Sequence, residues 1–348
     1  MGGGPSSSEE DVATQALVVM VNCINGHWKL PVAHYFISGL NGQERASVMK
    51  CIVSCLNETG IVIVNITCDN PVSNWSMFNN LGAKLYQPEP KVTLDVKNIL
   101  GIPIFAILDV CHLLKLLRNS WGDYKVLIDG NGNAACWNYV ERLHDLQTSS
   151  GLHLANRLRS QHIDFKSNKM DTSLAAQTLS KSVAKSIGYC DKVLENPSFT
   201  GSEATINFIR TFDDLFDLLN SKSKFGKDSK GPLCKKNFDV WSEKFKTYTQ
   251  YILSLKHGNG VPVIKGPRKA AFLGFIVTMK SFLHIYRCYV QTGHLDYVLT
   301  FKFSQDHIEQ IFSTIRSSLG GNNNPTVKQF EASYKSLLLN LSNKVKKK

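Results

Sequence analysis

The sequence predicts an α/β domain interrupted by an all-α module, and three observations carry that prediction. Short branched runs alternate with amphipathic helical stretches through residue 122. Two of these runs, "IVIVNIT" at 61–67 and "IPIFAIL" at 102–108, are apolar throughout, as in strands covered on both faces. From about residue 135 the strand pattern gives way to helical periodicity lasting about 150 residues.

Each element follows from its local pattern. "ALVVMVN" (16–22) and "PVAHYFIS" (31–38), joined by "CINGHWKL", read as a β-hairpin. "NGQERASVMKCIVSCLNETG" (41–60) is an amphipathic helix closed by Gly60, in which Val48, Ile52, Cys55 and Leu56 share a stripe, so Cys51 and Cys55 read as buried thiols rather than zinc ligands. The buried strand 61–67 then delivers Asp69 at its carboxyl end, where open α/β sheets place their ligands. A helix over 72–82, the strand 102–108 and a helix over 109–122 complete the order β-β-α-β-α-β-α, which implies a largely parallel sheet with a leading hairpin. Five helical segments between 137 and 290 build the second module, with the loop "SKSKFGKDSKGPLCKK" (221–236) exposed within it. A helix opening with Asp306 and Glu309 runs into "GGNNNP" and a basic helix.

Charge divides the chain. Residues 1–150 carry ten basic against thirteen acidic side chains, and residues 151–348 carry thirty against fifteen, so all of the +12 excess lies in the second half. A surface of that sign favours a polyanion such as nucleic acid or a nucleotide phosphate. Nine cysteines without a C-x-x-C pair suit a reducing compartment, nucleus or cytosol. No apolar run approaches a membrane span, and the polar start "MGGGPSSSEEDVATQ" lacks the regions of a secretory signal.

Six motifs occur in a recognisable order: "INGHWKLPVAHYFISGL", "TCDN…NWSMFNNLG", "DVCHLLKLLRN", "KMDTSLAAQTLSKSVA", "LFDLLNS" and "FSQDHIEQIFSTIRSSLGGNNNPTVKQF". On these the chain resembles the catalytic region of P element-type transposases, including relatives that follow a THAP-type zinc finger. The resemblance implies an RNase H-like α/β domain interrupted by a helical GTP-binding insertion. It divides the chain into a flexible start (1–15), an N-terminal RNase H-like part (16–134), the insertion (135–289), a C-terminal RNase H-like part (290–340) and a basic tail (341–348).

The resemblance also implies chemistry. Transposases of this fold hold two divalent metals on carboxylates, one activating the nucleophile and the other stabilising the leaving oxygen. Hard oxygen ligands suit Mg²⁺. The family's second acid matches Asp69 and its last matches Glu309, with Asp306 one turn away in support. The family's first acid belongs on a strand ahead of the hairpin, and "MGGGPSSSEEDVATQ" has no strand pattern. Glu9, Glu10 and Asp11 are poor substitutes, and Asn70 stands where the family usually has glycine. The expectation is therefore a truncated or domesticated chain that holds Mg²⁺ weakly or not at all. Its open sheet edges would favour self-association or a partner chain supplying a strand. Two alternatives stay open: a noncatalytic nucleic-acid-binding or assembly protein on the same scaffold, and a fragment of an active transposase.

For the nucleotide, no G-x-x-x-x-G-K-[ST] loop exists. "NKMD" (Asn168, Lys169, Asp171) is similar to the guanine-reading N-K-x-D tetrapeptide. "LFDLLNS" implies Phe216 for base packing and Asp217 for base recognition, with Ser182 a phosphate or ribose contact. The expected ligands are GTP and DNA, and the expected compartment is the nucleus.

Overall fold

The computed structural model describes residues 12–151, 154 and 156–346. The chain opens with an antiparallel hairpin, β1 (Gln15–Asn22) and β2 (Lys29–Ile37), as the alternation of "ALVVMVN" requires. Helix α1 (Gly42–Glu58) starts at a capping box, in which the Asn41 side chain accepts from the Glu44 amide and the Glu44 carboxylate accepts from the Asn41 amide. Its buried residues are Gly42, Ala46, Ile52 and Val53, and Cys51 and Cys55 are exposed. The expectation of buried thiols is thus corrected. Ala46 and Val53 lie a full two turns apart and set the inward face, which turns both cysteines outward.

Strand β3 (Asn65–Cys68) pairs in parallel with β5 (Pro103–Leu108), and β4 (Thr93–Lys97) pairs antiparallel with the other edge of β5. The sheet order is β3-β5-β4, with α2 (Val72–Asn80) connecting β3 to β4. Two expectations change here. The sheet is mixed, because "TLDVK" has too little apolar pattern to read as a strand alone. The run 61–67 forms a ladder only from Asn65, and β3 alternates between half-buried and buried positions, because one face and one edge look into a cavity. β5, by contrast, is buried at five of its six residues.

Helix α3 (Val110–Tyr124), capped by Asp109, leads into the insertion. This region is not all-α. β6 (Val126–Ile128) sits between β7 (Ala134–Cys136) and β9 (Lys256–His257), and β8 (Leu233–Cys234) pairs with β10 (Tyr297–Val298). Strands of two or three residues carry no readable period. The helices are α4 (Asn138–Ser150), α5 (Ser160–Ile163), α6 (Thr172–Thr178), α7 (Lys181–Lys192), α8 (Glu203–Leu219), α9 (Phe238–Ser254) and α10 (Lys269–Ile285).

Helix α10 lies on the sheet. Thr278 Oγ1 donates to the Leu108 carbonyl at 3.1 Å and Ser281 Oγ to that of Ala106 at 2.6 Å. One continuous core therefore runs from Ile66 and Phe105 of the sheet through Leu113 of α3 to Phe208 and Phe212 of α8 and Phe275 of α10. A second, small core joins Val18 of the hairpin to Ile311 and Ile315 of α11 (Asp306–Ser318) and to Phe330 and Tyr334 of α12 (Val327–Lys346). No helix among the described residues is long and apolar enough to cross a membrane.

Candidate functional site

The parallel pair β3 and β5 ends in two carboxylates. Asp69 follows β3 and accepts a hydrogen bond from Asn74 Nδ2 at 2.6 Å, and Asn74 is in turn held by Arg45 Nη1 at 3.1 Å. Asp69 makes no cap for α2, whose first turn has no side-chain cap. Asp109 follows β5, and its amide bonds the Cys68 carbonyl at 3.0 Å, so the two strand ends are adjacent.

Asp109 is 1% exposed and fully engaged. Its Oδ2 accepts from the His112 amide at 3.0 Å and contacts His112 Nδ1 at 2.6 Å. Its Oδ1 accepts from the amide of Gln305, the residue capping α11, at 3.0 Å. One buried carboxylate thus fixes the start of the helix that carries Asp306 and Glu309. His112 Nε2 lies 4.0 Å from Glu309 Oε1. Asp306 approaches the buried Cys111 thiol, which burial, then Asp109 and Asp306, push well up. The sequence reading missed Asp109 and His112 as site residues. The signal was present: an Asp at a strand end, three residues before a His on the following helix turn.

Asp69 and Glu309 offer carboxylate oxygens, the donors a magnesium ion prefers. Among the described residues, however, no group of three His, Cys, Asp or Glu side chains converges to hold a cation. The pair falls short of a complete donor set for the ion.

Beside Asp69 lies a cavity of about 670 Å³, bounded by Leu17–Asn25 on the hairpin side and by Gly60–Asp69 on the sheet side. Among the described residues β1 pairs with β2 alone and β3 with β5 alone, so within that set each has an unpaired edge. Ser304 and His307 line this cavity, and among the described residues Ser304 Oγ and both ring nitrogens of His307 are buried without hydrogen-bond partners. Lys302 closes one end by donating to the carbonyls of Cys23 and Gly26. Glu9, Glu10 and Asp11 lie outside the described residues.

The nucleotide candidates divide into two groups. Asp217 and the partly buried Phe216 lie on α8, which packs against α7. Lys230 Nζ is 3.6 Å from Asp217, and Lys181 at the start of α7 acts on both Asp213 and Asp217. Burial, then Asp217, raise the Asp213 carboxyl to about 6. Ser182 Oγ is 2.9 Å from that of Ser180, the α7 cap. Asn220 Oδ1, at the end of α8, is buried without a partner among the described residues and belongs to the same motif. The tetrapeptide 168–171 is used structurally instead. Asp171 caps α6, Asn168 Nδ2 bonds the Asp164 carbonyl at 3.1 Å, and the buried Arg118 holds the Asn168 carbonyl at 2.9 Å. Lys169 contributes its carbonyl to Asn119. Among the described residues no hydrogen bond or ion pair joins 168–171 to Phe216 or Asp217, so the N-K-x-D reading is not supported by the geometry.

Comparison with known proteins agrees with this architecture. Residues 1–82 match the TNP-like RNase H N-terminal domain, residues 111–232 the TNP-like GTP-binding insertion domain, and residues 301–335 the TNP-like RNase H C-terminal domain. The human DNA transposase THAP9 is 28% identical over 337 residues, covering 96% of this chain and 37% of that protein. The transposable element P transposase of Drosophila melanogaster is 24% identical over 331 residues, covering 94% of this chain and 41% of that protein. The chain spans about two fifths of the length of these curated relatives. In fold it is similar to the Drosophila P element transposase strand transfer complex, with a TM-score of 0.79 over 92% of this chain and 69% of that one, at 23% identity. Two RNase H-like segments flanking a GTP-binding insertion, matched in chain order, make this a transposase-like protein, and the chain belongs to the P element-like transposase family.

Proposed function

We propose that this chain acts in DNA transposition in the nucleus, binding DNA through its basic half and GTP in its helical insertion. In this reading Asp69 and Glu309 form part of the strand-processing site. The observation that supports it is that Asp69 and Asp109 follow adjacent parallel strands, that Asp109 accepts from the Gln305 amide at the start of the helix carrying Glu309, and that Glu309 lies 4.0 Å from His112. Asp109 orients His112 and sets the register of α11, so Glu309 faces the strand ends while the insertion holds its nucleotide elsewhere.

In this reading the cavity beside Asp69 takes an extended, acid-bearing segment. Its backbone would pair with the free edges of β1 and β3, and its polar groups would meet Ser304 and His307. Such a segment supplies the third carboxylate. The test assays Mg²⁺-dependent cleavage of supercoiled plasmid by residues 1–348 alone, by the same chain extended with an Asp-bearing strand, and by the chain with that strand added as a peptide. Cleavage is expected only when the strand is supplied, in cis or in trans, and should be lost in Asp69→Ala and Glu309→Ala. Cleavage by the unextended chain that both substitutions abolish would show that two acids suffice and overturn the completion reading.

For the nucleotide, GTP should bind in calorimetry where ATP does not. Asp217→Ala should weaken GTP by about 1.5–3 kcal/mol, the scale of a charged hydrogen bond. Equal affinity for the two nucleotides would reject Asp217 as a base reader.

A further inference from the structure

The segment 221–236, which runs from the end of α8 through β8, is strongly cationic. Residues 221–236 hold six lysines against one aspartate. Phe225 stands at the tip, 88% exposed, among Lys222, Lys224 and Lys227. Burying a phenylalanine side chain is ordinarily favourable, so an exposed ring leaves that gain for a ligand.

The loop that carries the ring is pinned at its base. Ser221 donates its amide to Thr300 Oγ1 at 2.8 Å and accepts from the Phe301 amide at 3.2 Å. Ser221 Oγ bonds the Lys230 carbonyl at 2.9 Å, closing the loop across its neck. Ser229 is buried against Asp214, with Lys244 Nζ 2.9 Å from its hydroxyl. The Gly226 amide bonds the Ser223 carbonyl at 3.2 Å and turns the chain at the tip. On leaving the loop, the chain enters the β8–β10 pair.

Its location is equally specific. Lys222 acts electrostatically on Cys111 and His307, at the starts of α3 and α11. Those two helices carry His112 and Glu309. Lys224 Nζ lies 5.2 Å from the centre of the Tyr297 ring. Lys222 thus lies towards the starts of the helices that carry His112 and Glu309, and Phe225 follows it three residues along the loop.

Cations alternating with a free aromatic face suit a nucleic-acid strand, with phosphates on the cations and an unstacked base on the ring. An apolar protein partner would have to desolvate several unpaired lysines around one phenylalanine. We propose that the 221–236 loop grips a DNA strand next to the carboxylate site, with Phe225 stacking on an unpaired base and Lys222, Lys224 and Lys227 taking its phosphates. This rests on the proposed function for the identity of the strand as DNA, and adds to it a preference for unpaired bases.

The test uses the full chain and a fluorescein-labelled 20-nucleotide DNA, single-stranded or as its duplex, with anisotropy read at several salt concentrations. Because Phe225 is exposed, Phe225→Ala leaves the fold intact, which circular dichroism checks. It should weaken single-strand binding roughly tenfold, within the range for one lost base stack, and leave duplex binding unchanged. Phe225→Trp should restore the affinity and quench 2-aminopurine placed in the strand. Replacing Lys222, Lys224 and Lys227 by Gln should lower the salt slope by about 2, as three fewer phosphate contacts on a single strand require.

Single-strand affinity unchanged in Phe225→Ala, or lost equally from strand and duplex, overturns the stacking role while the DNA-binding reading stands. An effect of that substitution on self-association alone reassigns the tip to a protein contact and likewise overturns it. A wild-type chain that binds neither DNA form overturns the underlying reading itself.

Discussion

Replacing Asp109 by Ala removes one side chain and breaks the alignment of two helices. The carboxylate is 1% exposed and engages three groups: the His112 amide, His112 Nδ1 and the Gln305 amide. Losing the cap of α3 costs about 1 kcal/mol. Leaving the partly buried Gln305 amide without an acceptor costs about 1–3 kcal/mol, and the His112 bond adds about 1 kcal/mol. The expected loss is about 3–5 kcal/mol, read as a lower urea midpoint at unchanged slope. Asp109→Asn should fall between, at about 2 kcal/mol, because one amide oxygen cannot face both His112 and Gln305. Limited proteolysis should find new cuts near Ser304–Ile308 in the Ala variant. A loss below about 1 kcal/mol with no new cuts would show that α11 is held in place by other contacts, and the account of how Glu309 reaches the strand ends would fail.

Two further perturbations test the packing and the charge of the insertion. A Cβ at Gly274 of α10 would overlap Leu113 Cδ2 of α3, so Gly274→Ala should destabilise by about 1–3 kcal/mol despite its better helix propensity, measured by denaturation. A stabilised variant would mean that the two helices are not in close contact. The Asp213 carboxyl, raised to about 6 by burial and then Asp217, binds its proton more tightly in the folded chain than in the unfolded one. Its contribution to stability is therefore present at low pH and lost as pH rises from about 4 through 6. Asp213→Asn should raise stability at pH 7.5 by about 1–2 kcal/mol, allowing for solvent screening, and should change little at pH 4. An equal effect at both pH values would exclude the titration.

Much of the sheet domain was legible because its signals are local. Branched runs, Gly stops and the Asn41 capping box mark the hairpin and α1, and the unbroken apolar run 102–108 marks β5, the central strand. What was not legible depends on distant partners. "TLDVK" becomes a strand only because β5 offers an edge, and Cys51 and Cys55 face outward because Ala46 and Val53 meet the core first. Asp69 and Glu309 were singled out by motif, yet Asp109, which holds the start of the helix carrying Glu309, bonds Gln305 from 196 residues away, and no spacing rule reaches that far. The N-K-x-D tetrapeptide shows the opposite failure. Its residues invite a nucleotide reading, while the fold uses Asp171 as a cap and the Asn168 carbonyl as a partner for Arg118.

The seating of α10 on β5 has a consequence for how the chain responds to ligands. Helix α10 donates its hydroxyls to the backbone of the central strand, and the same core continues into α8. Helix α10 is therefore a wall of the sheet, and removing it would expose Phe105 and Ile107. Opening this shared core would expose the sheet and α8 together. A nucleotide bound against α7 and α8 would then protect β3 and β5 from opening, by RT ln(1 + [L]/Kd), without touching either strand.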